Sequence, residues 1–333
     1  MKTFIIAEAG ANHNQDWQLA KKLVSAAKNA NCDAVKFQTY SSETLYSKNT
    51  PNFAGYENIN DLIKSIELPR SWHKDLKLYC DDLGIEFMST PFDNKAVDEL
   101  YEVGVKRFKI AGFEATDPRF VKYVASTKLP LIVTAGIGCS IETVKEIYDW
   151  ILSENSNPDV TFLHGNNAYP TPVEDINLGQ MLKIKSLDLP VSVGLSDHTE
   201  GILIPPVAVS LGASTIEKHF TLDRKMKGPD HPFAIEPKEL IQMVNNIRSV
   251  ESSLGFKNEK YTKSEGKGFQ KARRSIVSKR AIRAGEVITE ENVTTKRPFL
   301  ENCISASEYY NIIGKKATKN IAKDETLKTG DLK

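Results

Sequence analysis

The chain has 333 residues, of which 26% are charged and 40% are hydrophobic, and its formal net charge is +1. This balance is typical of a folded globular protein, and it gives no electrostatic reason to expect a nucleic-acid partner. No apolar run approaches the roughly 20 residues that span a bilayer, and the N-terminal sequence lacks a signal-peptide pattern. We therefore expect a cytoplasmic protein that binds neither nucleic acid nor membrane.

Short β-rich runs alternate with longer segments of helical period along most of the chain. The predicted strands are residues 4–7, 34–37, 86–88, 107–110, 131–133, 160–163, 191–194 and 214–218. The predicted helices are residues 17–30, 71–83, 95–103, 118–125, 141–153, 178–186, 203–211 and 237–254. His73, on the helix predicted at 71–83, is expected to be exposed.

Eight βα units over about 250 residues favour a TIM barrel over a doubly wound sheet, because no phosphate-binding glycine motif follows any strand. Polar residues cluster directly after the predicted strands, where barrel enzymes build their active sites. These residues include Glu8, Lys36, Gln38, Thr90, Lys109, Glu114, Thr134, Asn167, Tyr169, Ser196 and Glu217.

Two histidines close successive strands at the same relative position: His198 in VSVGLSDHT and His219 in STIEKHFT. Asp197 and Glu217 stand beside them in the sequence. Imidazoles and carboxylates at neighbouring strand ends are what a divalent-metal site on a parallel barrel needs. The pattern therefore predicts a metal-assisted enzyme.

The composition changes after the last predicted helix. Residues 255–274 are charged and poor in large aliphatic side chains, which predicts a linker. The linker would join a barrel domain of residues 1–254 to a small C-terminal domain of residues 275–333.

The small domain contains a faint internal repeat, since AIRAGEVITEENV matches NIAKDETLKTGDL. The match aligns Ile282 with Ile321 and Glu286 with Glu325. Two related β/turn units in about 60 residues predict a compact module that packs against a partner, because so small a core gives only marginal stability by itself.

Eight strings in chain order resemble the sialic acid synthase family, which includes the N-acetylneuraminate, legionaminate and pseudaminate synthases. They are IAEAGANHN, AVKFQTY, FMSTPFD, FKIAGFE, AYPTP, GLSDHT, IEKHFTLDRKMKGPDH and TTKRP. The C-terminal domain is similar to the antifreeze-like (SAF) domain that ends those enzymes. The resemblance covers essentially the whole chain and implies a TIM (β/α)8 barrel followed by a small β-rich SAF domain.

The resemblance also implies a reaction. Phosphoenolpyruvate condenses with an N-acylated mannose-type hexose, N-acetylmannosamine or a 2,4-diacetamido-2,4,6-trideoxy analogue, to give a nine-carbon 2-keto sugar acid and inorganic phosphate. It further implies a divalent ion, Mn²⁺ or Mg²⁺, and a homodimer in which the small domain of one subunit covers the barrel mouth of the other.

Phosphoenolpyruvate carries a carboxylate and a phosphate close together, so its site must supply several cations and hydrogen-bond donors. By the family resemblance, the phosphoenolpyruvate contacts are Lys36, Thr90, Lys109, Thr134, Asn167 and Ser196. The sugar contacts are Gln38, Tyr169, Asp230 and, from the small domain across the dimer, Arg297. The metal ligands are His198 and His219, and the carboxylate that aids proton transfer or activates water is Glu114.

Several positions depart from the family pattern and leave the hexose undetermined. Asn14 stands where one branch carries a glutamate. Gly112 and Phe113 in KIAGFE replace a serine and a glycine, Gly165 replaces a cysteine, and Phe299 replaces a glycine. These changes predict extra space at the two glycines and extra bulk at the two phenylalanines near the substrate.

Two other functions are compatible with these residues. A metal-dependent barrel aldolase or hydrolase could use the same two histidines without phosphoenolpyruvate. A catalytically inactive carbohydrate-binding scaffold would account for the serine that is lost at Gly112, because that serine could donate to phosphate.

Overall fold

The computed structural model describes residues 2–51, 58–135, 140–255 and 262–333. The chain divides into two compact units, Met1–Gly255 and Phe256–Lys333. No helix within the described ranges is long and apolar enough to cross a membrane.

Among the described residues of the first unit, eight parallel strands form a sheet, and each overlaps a predicted strand. They are β1 (Phe4–Gly10), β2 (Ala34–Thr39), β3 (Glu86–Pro91), β4 (Phe108–Ile110), β5 (Leu131–Ala135), β6 (Val160–Gly165), β7 (Ser192–Asp197) and β8 (Thr215–His219). Their order is β3-β2-β1-β8-β7-β6-β5-β4, and β3 also lies beside β4, so that the sheet nearly closes. The predicted TIM-like barrel is confirmed.

Helices follow the strands on the outside of the barrel. They are α1 (Trp17–Asn29), α2 (Ile59–Ile66), α3 (His73–Leu83), α4 (Asn94–Glu102), α5 (Pro118–Ser126), α6 (Ile141–Glu154), α7 (Leu178–Lys185), α8 (Ile204–Ser210) and α9 (Pro237–Ser253). Helix α2 was not predicted. It is only eight residues long, although Asn58 caps it and Ile59, Ile63 and Ile66 bury one face.

The barrel interior changes from apolar to charged along the strands. Ile6, Ala34, Met88, Ile132 and Leu163, one from each of five strands, form an internal apolar cluster. Because strand side chains alternate between faces, the next inward positions lie two residues further on. Those positions hold Glu8, Lys36, Thr90, Thr134 and Gly165. The fold therefore sets polar groups on an apolar floor at the carboxyl ends of the strands.

The second unit has its own core. Strands β9 (Ser275–Ser278) and β10 (Val293–Lys296) pair antiparallel, and the unit also contains helices α10 (Lys263–Ala272) and α11 (Tyr309–Ile312). Helix α10 lies inside the segment predicted as a linker. It begins with reciprocal capping bonds between Thr262 and Glu265.

The internal repeat is present in the structure. Ile282 and Ile321 exchange backbone hydrogen bonds of 2.9 and 2.8 Å, and both side chains are buried in the core of this unit. Glu286 and Glu325 each accept a hydrogen bond from the backbone N–H three residues earlier, at 2.9 and 2.7 Å. The aligned residues of the two halves therefore make the same contacts.

Candidate active site

A cavity opens at the carboxyl ends of the barrel strands. Ten of the predicted site residues line it, namely Lys36, Gln38, Thr90, Lys109, Thr134, Asn167, Tyr169, Ser196, His198 and His219. Glu8, Phe92, Ala111, Gly112, Phe113 and Glu217 complete the lining. Residues from all eight βα units therefore meet around one space.

Four buried charges form the floor of this cavity. Lys36 Nζ lies 2.7 Å from Glu8 Oε2 and 3.7 Å from Glu217 Oε2, and Lys109 Nζ lies 3.2 Å from Glu217 Oε1. Each of these side chains is at most 5% exposed. With both carboxylates ionised, the cluster has no net charge, which makes its burial tolerable.

The two carboxylates differ in proton affinity. Burial opposes the ionisation of Glu217, but Lys109 and Lys36 outweigh it and hold the pKa at about 2, against an ordinary value of 4.5. Burial raises the pKa of Glu8 to about 7, because Lys36 offsets the desolvation only partly and Glu217 adds a like charge. Glu217 is therefore the firm counterion of the cluster, and Glu8 can exchange a proton near neutral pH.

Neutral polar groups surround the four charges. Lys36 donates to Thr90 Oγ1 at 2.8 Å, Gln38 donates to Glu8 Oε1 at 2.7 Å, and Ser196 donates to Glu217 Oε1 at 2.9 Å. Two further groups of the lining have no hydrogen-bond partner among the described residues although they are buried: Thr134 Oγ1 and Asn167 Nδ2. Buried polar groups without partners are costly, so such groups indicate a place for a polar ligand.

The two histidines face each other across the cavity. The ring centroids of His198 and His219 lie 5.4 Å apart, with 61° between the planes. His198 Nδ1 donates to the backbone carbonyl of Asn166 at 2.5 Å, which leaves Nε2 as the lone-pair nitrogen. Burial lowers the pKa of both imidazoles, so both are neutral at pH 7.

This donor set fits a divalent ion. Neutral imidazoles are metal ligands, and a hydrogen bond from the other ring nitrogen to a carbonyl is the usual support for such a ligand. His219 Nδ1 has no hydrogen-bond partner among the described residues and lies 3.6 Å from Asp230 Oδ2. Within the described ranges, no group of three or more His, Cys, Asp or Glu residues is arranged to hold a metal ion.

The carboxylates that neighbour the histidines in sequence do not join them. Asp197 points away from the cavity and is paired with Lys218 at 2.7 Å. Glu217 points inward but contacts the two lysines. The expectation that Asp197 stands beside the metal site is wrong, because side chains of successive strand residues face opposite sides of the sheet.

Two predicted sugar contacts lie around the histidines. The ring of Tyr169 lies 4.2 Å from that of His198, and 47% of its surface is exposed. Asp230 approaches the backbone N–H of Ala11 at 3.5 Å, and burial raises its pKa to about 6. Both residues can present polar groups to a ligand held above the histidine pair.

Glu114 lies beside the cavity rather than in its lining. It begins a short 3₁₀ turn and borders an adjoining groove of about 490 Å³. Its Oε2 atom is buried and has no hydrogen-bond partner in the described part of the chain, and burial raises the pKa of Glu114. Phe92 and Phe113 border both spaces, and Phe113 is 61% exposed.

Three predictions about individual residues can be compared with the structure. His73 is buried, not exposed: its ring is hydrogen-bonded to Thr39 Oγ1 at 3.0 Å, and burial lowers its pKa to about 4. Gly165 gives no spare room, because an added Cβ would lie 3.2 Å from the backbone oxygen of Ser196. Arg297 is an exposed residue of the second unit, directly after β10.

Two residues of the floor were expected at the carboxyl ends of the strands but were assigned no contact with substrate or metal. Glu8 and Glu217 make the ion pairs that organise both lysines. The signal was available, because each is an acidic residue inside an otherwise buried strand, FIIAEAG and TIEKH. A charge in such a position needs a buried partner, and the lysines at the same end of other strands were the candidates.

Comparison with known proteins adds sequence and fold relationships. The NeuB family profile matches residues 23–259, and the SAF domain profile matches residues 273–333. The chain is 40% identical to an N,N'-diacetyllegionaminic acid synthase of Campylobacter jejuni, over 98% of this chain and 99% of that protein. It is 37% identical to a pseudaminic acid synthase of the same species, over 99% and 96% of the two chains.

A solved structure is similar as well. The N-acetylneuraminic acid synthetase of Leptospira borgpetersenii, in complex with citrate, superposes with a TM-score of 0.73 at 32% identity. The match covers 81% of this chain and 90% of that one.

Proposed function

The chain belongs to the NeuB family, and we propose that it condenses phosphoenolpyruvate with an N-acylated mannose-type hexose to give a nine-carbon 2-keto sugar acid and phosphate. The observation that carries the proposal is one cavity that brings two buried lysines opposite a pair of neutral imidazoles. The lysines suit a multiply charged anion, and the imidazoles suit a divalent cation.

Lys36 and Lys109 are the proposed anchors of phosphoenolpyruvate. Glu8 and Glu217 already pair with these two lysines, so the carboxylate and phosphate of the substrate must compete with these two groups. The Thr134 hydroxyl and the Asn167 amide, which have no partner among the described residues, supply further donors for that competition. Thr90 and Ser196, which now contact the floor charges, complete the proposed anion site.

His198 and His219 are the residues that would hold Mn²⁺ or Mg²⁺. A divalent ion bound there supplies Lewis-acid polarisation of the carbonyl oxygen of the open-chain sugar. Gln38, Tyr169 and Asp230 are the proposed sugar contacts of the barrel. Arg297 is the proposed contact from the small domain of a second subunit, in a homodimer.

Glu114 is the proposed proton-transfer group. The methylene carbon of phosphoenolpyruvate forms the new bond to the carbonyl carbon of the sugar, whose oxygen takes up a proton and becomes a hydroxyl. Water adds to C2, and the C2–O bond to phosphate breaks, which leaves the 2-keto group. The water must lose a proton in this sequence, and the Oε2 atom of Glu114, which has no hydrogen-bond partner among the described residues, can accept it. Its raised pKa moves the group toward neutral pH, where such a base works well.

For the sugar, we propose a 2,4-diacetamido-2,4,6-trideoxy hexose in preference to N-acetylmannosamine. The support is the identity of 40% over nearly the full length of an N,N'-diacetyllegionaminic acid synthase.

The test is an incubation of the protein with phosphoenolpyruvate, Mn²⁺ and a panel of N-acylated hexoses, with phosphate release and product mass as readouts. The proposal fails if no hexose gives phosphate release. Turnover of a sugar without phosphoenolpyruvate would support the aldolase or hydrolase instead, and sugar binding without phosphoenolpyruvate binding would support the scaffold.

A substitution locates the anion site. Lys36→Met should raise the KM for phosphoenolpyruvate about thirtyfold, since a charged hydrogen bond contributes about 2 kcal/mol. The matched control is Lys95→Met, because the Lys95 side chain is 78% exposed. Equal KM values for the two variants would remove Lys36 from the proposed site.

A further inference from the structure

We propose that the buried ion pair between Asp197 and Lys218 positions the imidazoles of His198 and His219 for the divalent ion. This inference rests on the proposed function, because the ion belongs to that reaction. Asp197 and Lys218 are positioning residues here, since neither lines the cavity.

The placement of the pair is the first observation. Each partner stands one residue before a histidine, Asp197 before His198 and Lys218 before His219. Since strand side chains alternate, the two imidazoles point into the cavity and the ion pair lies on the opposite face of the sheet. Asp197 and Lys218 are also directly opposite each other in the ladder between β7 and β8.

The second observation is that this pair stands at the end of the ladder. The register of β7 with β8 runs from Gly194 and Thr215 to Asp197 and Lys218. The imidazoles come from the residues that follow directly, where no further register pair joins the two strands. The pair between Asp197 and Lys218 is therefore the last ladder contact that relates His198 to His219, whose rings are 5.4 Å apart. His219 is held in addition by its pair with Glu8 of β1.

The third observation is the closed hydrogen-bond network. Lys218 Nζ lies 2.7 Å from Asp197 Oδ2 and also donates to the backbone carbonyl of Thr199. Thr199 in turn donates to Asp197 Oδ1 from its backbone N–H at 3.1 Å and from its hydroxyl at 2.9 Å. The network thus holds the residue before His198 and the residue after it, and all three members are at most 1% exposed.

Stability alone does not account for this arrangement. Apolar residues of similar size often replace a buried ion pair without loss of stability, because desolvation cancels much of the attraction. Contacts between apolar side chains are not directional, whereas hydrogen bonds fix the relative position of two strands. Groups that orient metal-bound histidines typically change metal affinity 10- to 100-fold when they are removed.

The experiment measures Mn²⁺ affinity of the full-length protein from the free-Mn²⁺ electron paramagnetic resonance signal. Asp197→Leu/Lys218→Met removes the network, and we expect the Kd for Mn²⁺ to rise at least about tenfold. Asp197→Asn/Lys218→Gln keeps hydrogen bonding without charge, and we expect its Kd to stay within about threefold of the wild type. The melting temperature in chelator reports the structural effect of each change separately.

The matched control is the pair between Glu86 and Arg107, whose atoms are also 2.7 Å apart and which lies at the amino ends of β3 and β4. Glu86→Leu/Arg107→Met should leave the Kd for Mn²⁺ unchanged. If the Asp197→Leu/Lys218→Met variant does not fold, Thr199→Val is measured instead, and a rise of about threefold or more is required.

Two results would overturn the inference: an Mn²⁺ affinity that the removal of the network leaves unchanged, or a loss that the control pair reproduces. Mn²⁺ binding that is unchanged in the His198→Ala variant would overturn it as well. A wild type that binds Mn²⁺ through His198 but releases no phosphate from any substrate mixture would refute the proposed function and leave this inference intact.

Discussion

Glu217→Gln tests the charge cluster under the cavity. The variant keeps the size of the side chain but removes the counterion of Lys109, at 3.2 Å, and of Lys36, at 3.7 Å. A pKa held at about 2 instead of 4.5 corresponds to about 3 kcal/mol of stabilisation at neutral pH. Loss of one member of a buried pair costs about 3–5 kcal/mol in other proteins, which agrees with this figure.

The assay is urea unfolding at several pH values. A carboxylate whose pKa is lowered on folding stabilises the protein above its unfolded pKa, and this stabilisation is lost as the pH falls through the folded pKa. The difference between wild type and Glu217→Gln should therefore be about 3 kcal/mol at neutral pH and should shrink between pH 4.5 and about 2. Glu86→Gln, whose partner Arg107 is 28% exposed, should cost about 1 kcal/mol or less.

The same variant separates a structural from a ligand-binding role for Glu217. Without this carboxylate, the two lysines face only Glu8 and the cluster gains positive charge. The rise in melting temperature on addition of phosphoenolpyruvate should therefore be at least as large as in the wild type. An unfolding free energy within 1 kcal/mol of the wild type, together with lost phosphoenolpyruvate binding, would refute the reasoning.

Three other outcomes are expected. Burial raises the pKa of Glu8 to about 7, so below that pH this carboxyl is neutral and the cluster is positive. The KM for phosphoenolpyruvate should therefore increase from about pH 6 to about pH 8. A KM that does not change with pH would contradict this. Gly194→Ala should destabilise the barrel by about 3 kcal/mol in urea unfolding, because the added Cβ would lie 2.2 Å from Thr215 O and 2.7 Å from Leu163 Cδ2. Gly268→Ala adds its Cβ in open space and should not destabilise the protein. Chelation should abolish turnover but preserve thermal protection by phosphoenolpyruvate, since the proposed anion site consists of lysines and neutral donors; loss of both would place the ion in the anion site.

The barrel could be predicted from sequence because its strands are short apolar runs at regular intervals, with a polar residue after each. Helix α2 was not predicted because its eight residues give only about two turns of periodic hydrophobic signal. His73 was misjudged because a single polar residue on a helix gives no information on which neighbour it meets. Its partner, Thr39, is 34 residues away in the chain.

The cavity residues were predictable as a set, because parallel strands bring their carboxyl ends to one edge. Their partners were not. Whether Lys36 faces Glu8, Glu217 or a ligand depends on the stagger of neighbouring strands, which the sequence does not display. The outward direction of Asp197 is different, since strict alternation from His198 already implies it.

The neutral floor of the cavity has a consequence for selectivity among anions. A monovalent ion that enters could neutralise only one lysine, and a carboxylate would have to be displaced for that single contact. A ligand with two anionic groups can engage Lys36 and Lys109 together and replace both carboxylates at once. The arrangement thus favours ligands with two anionic groups, and monovalent anions such as chloride are poor competitors for this cavity.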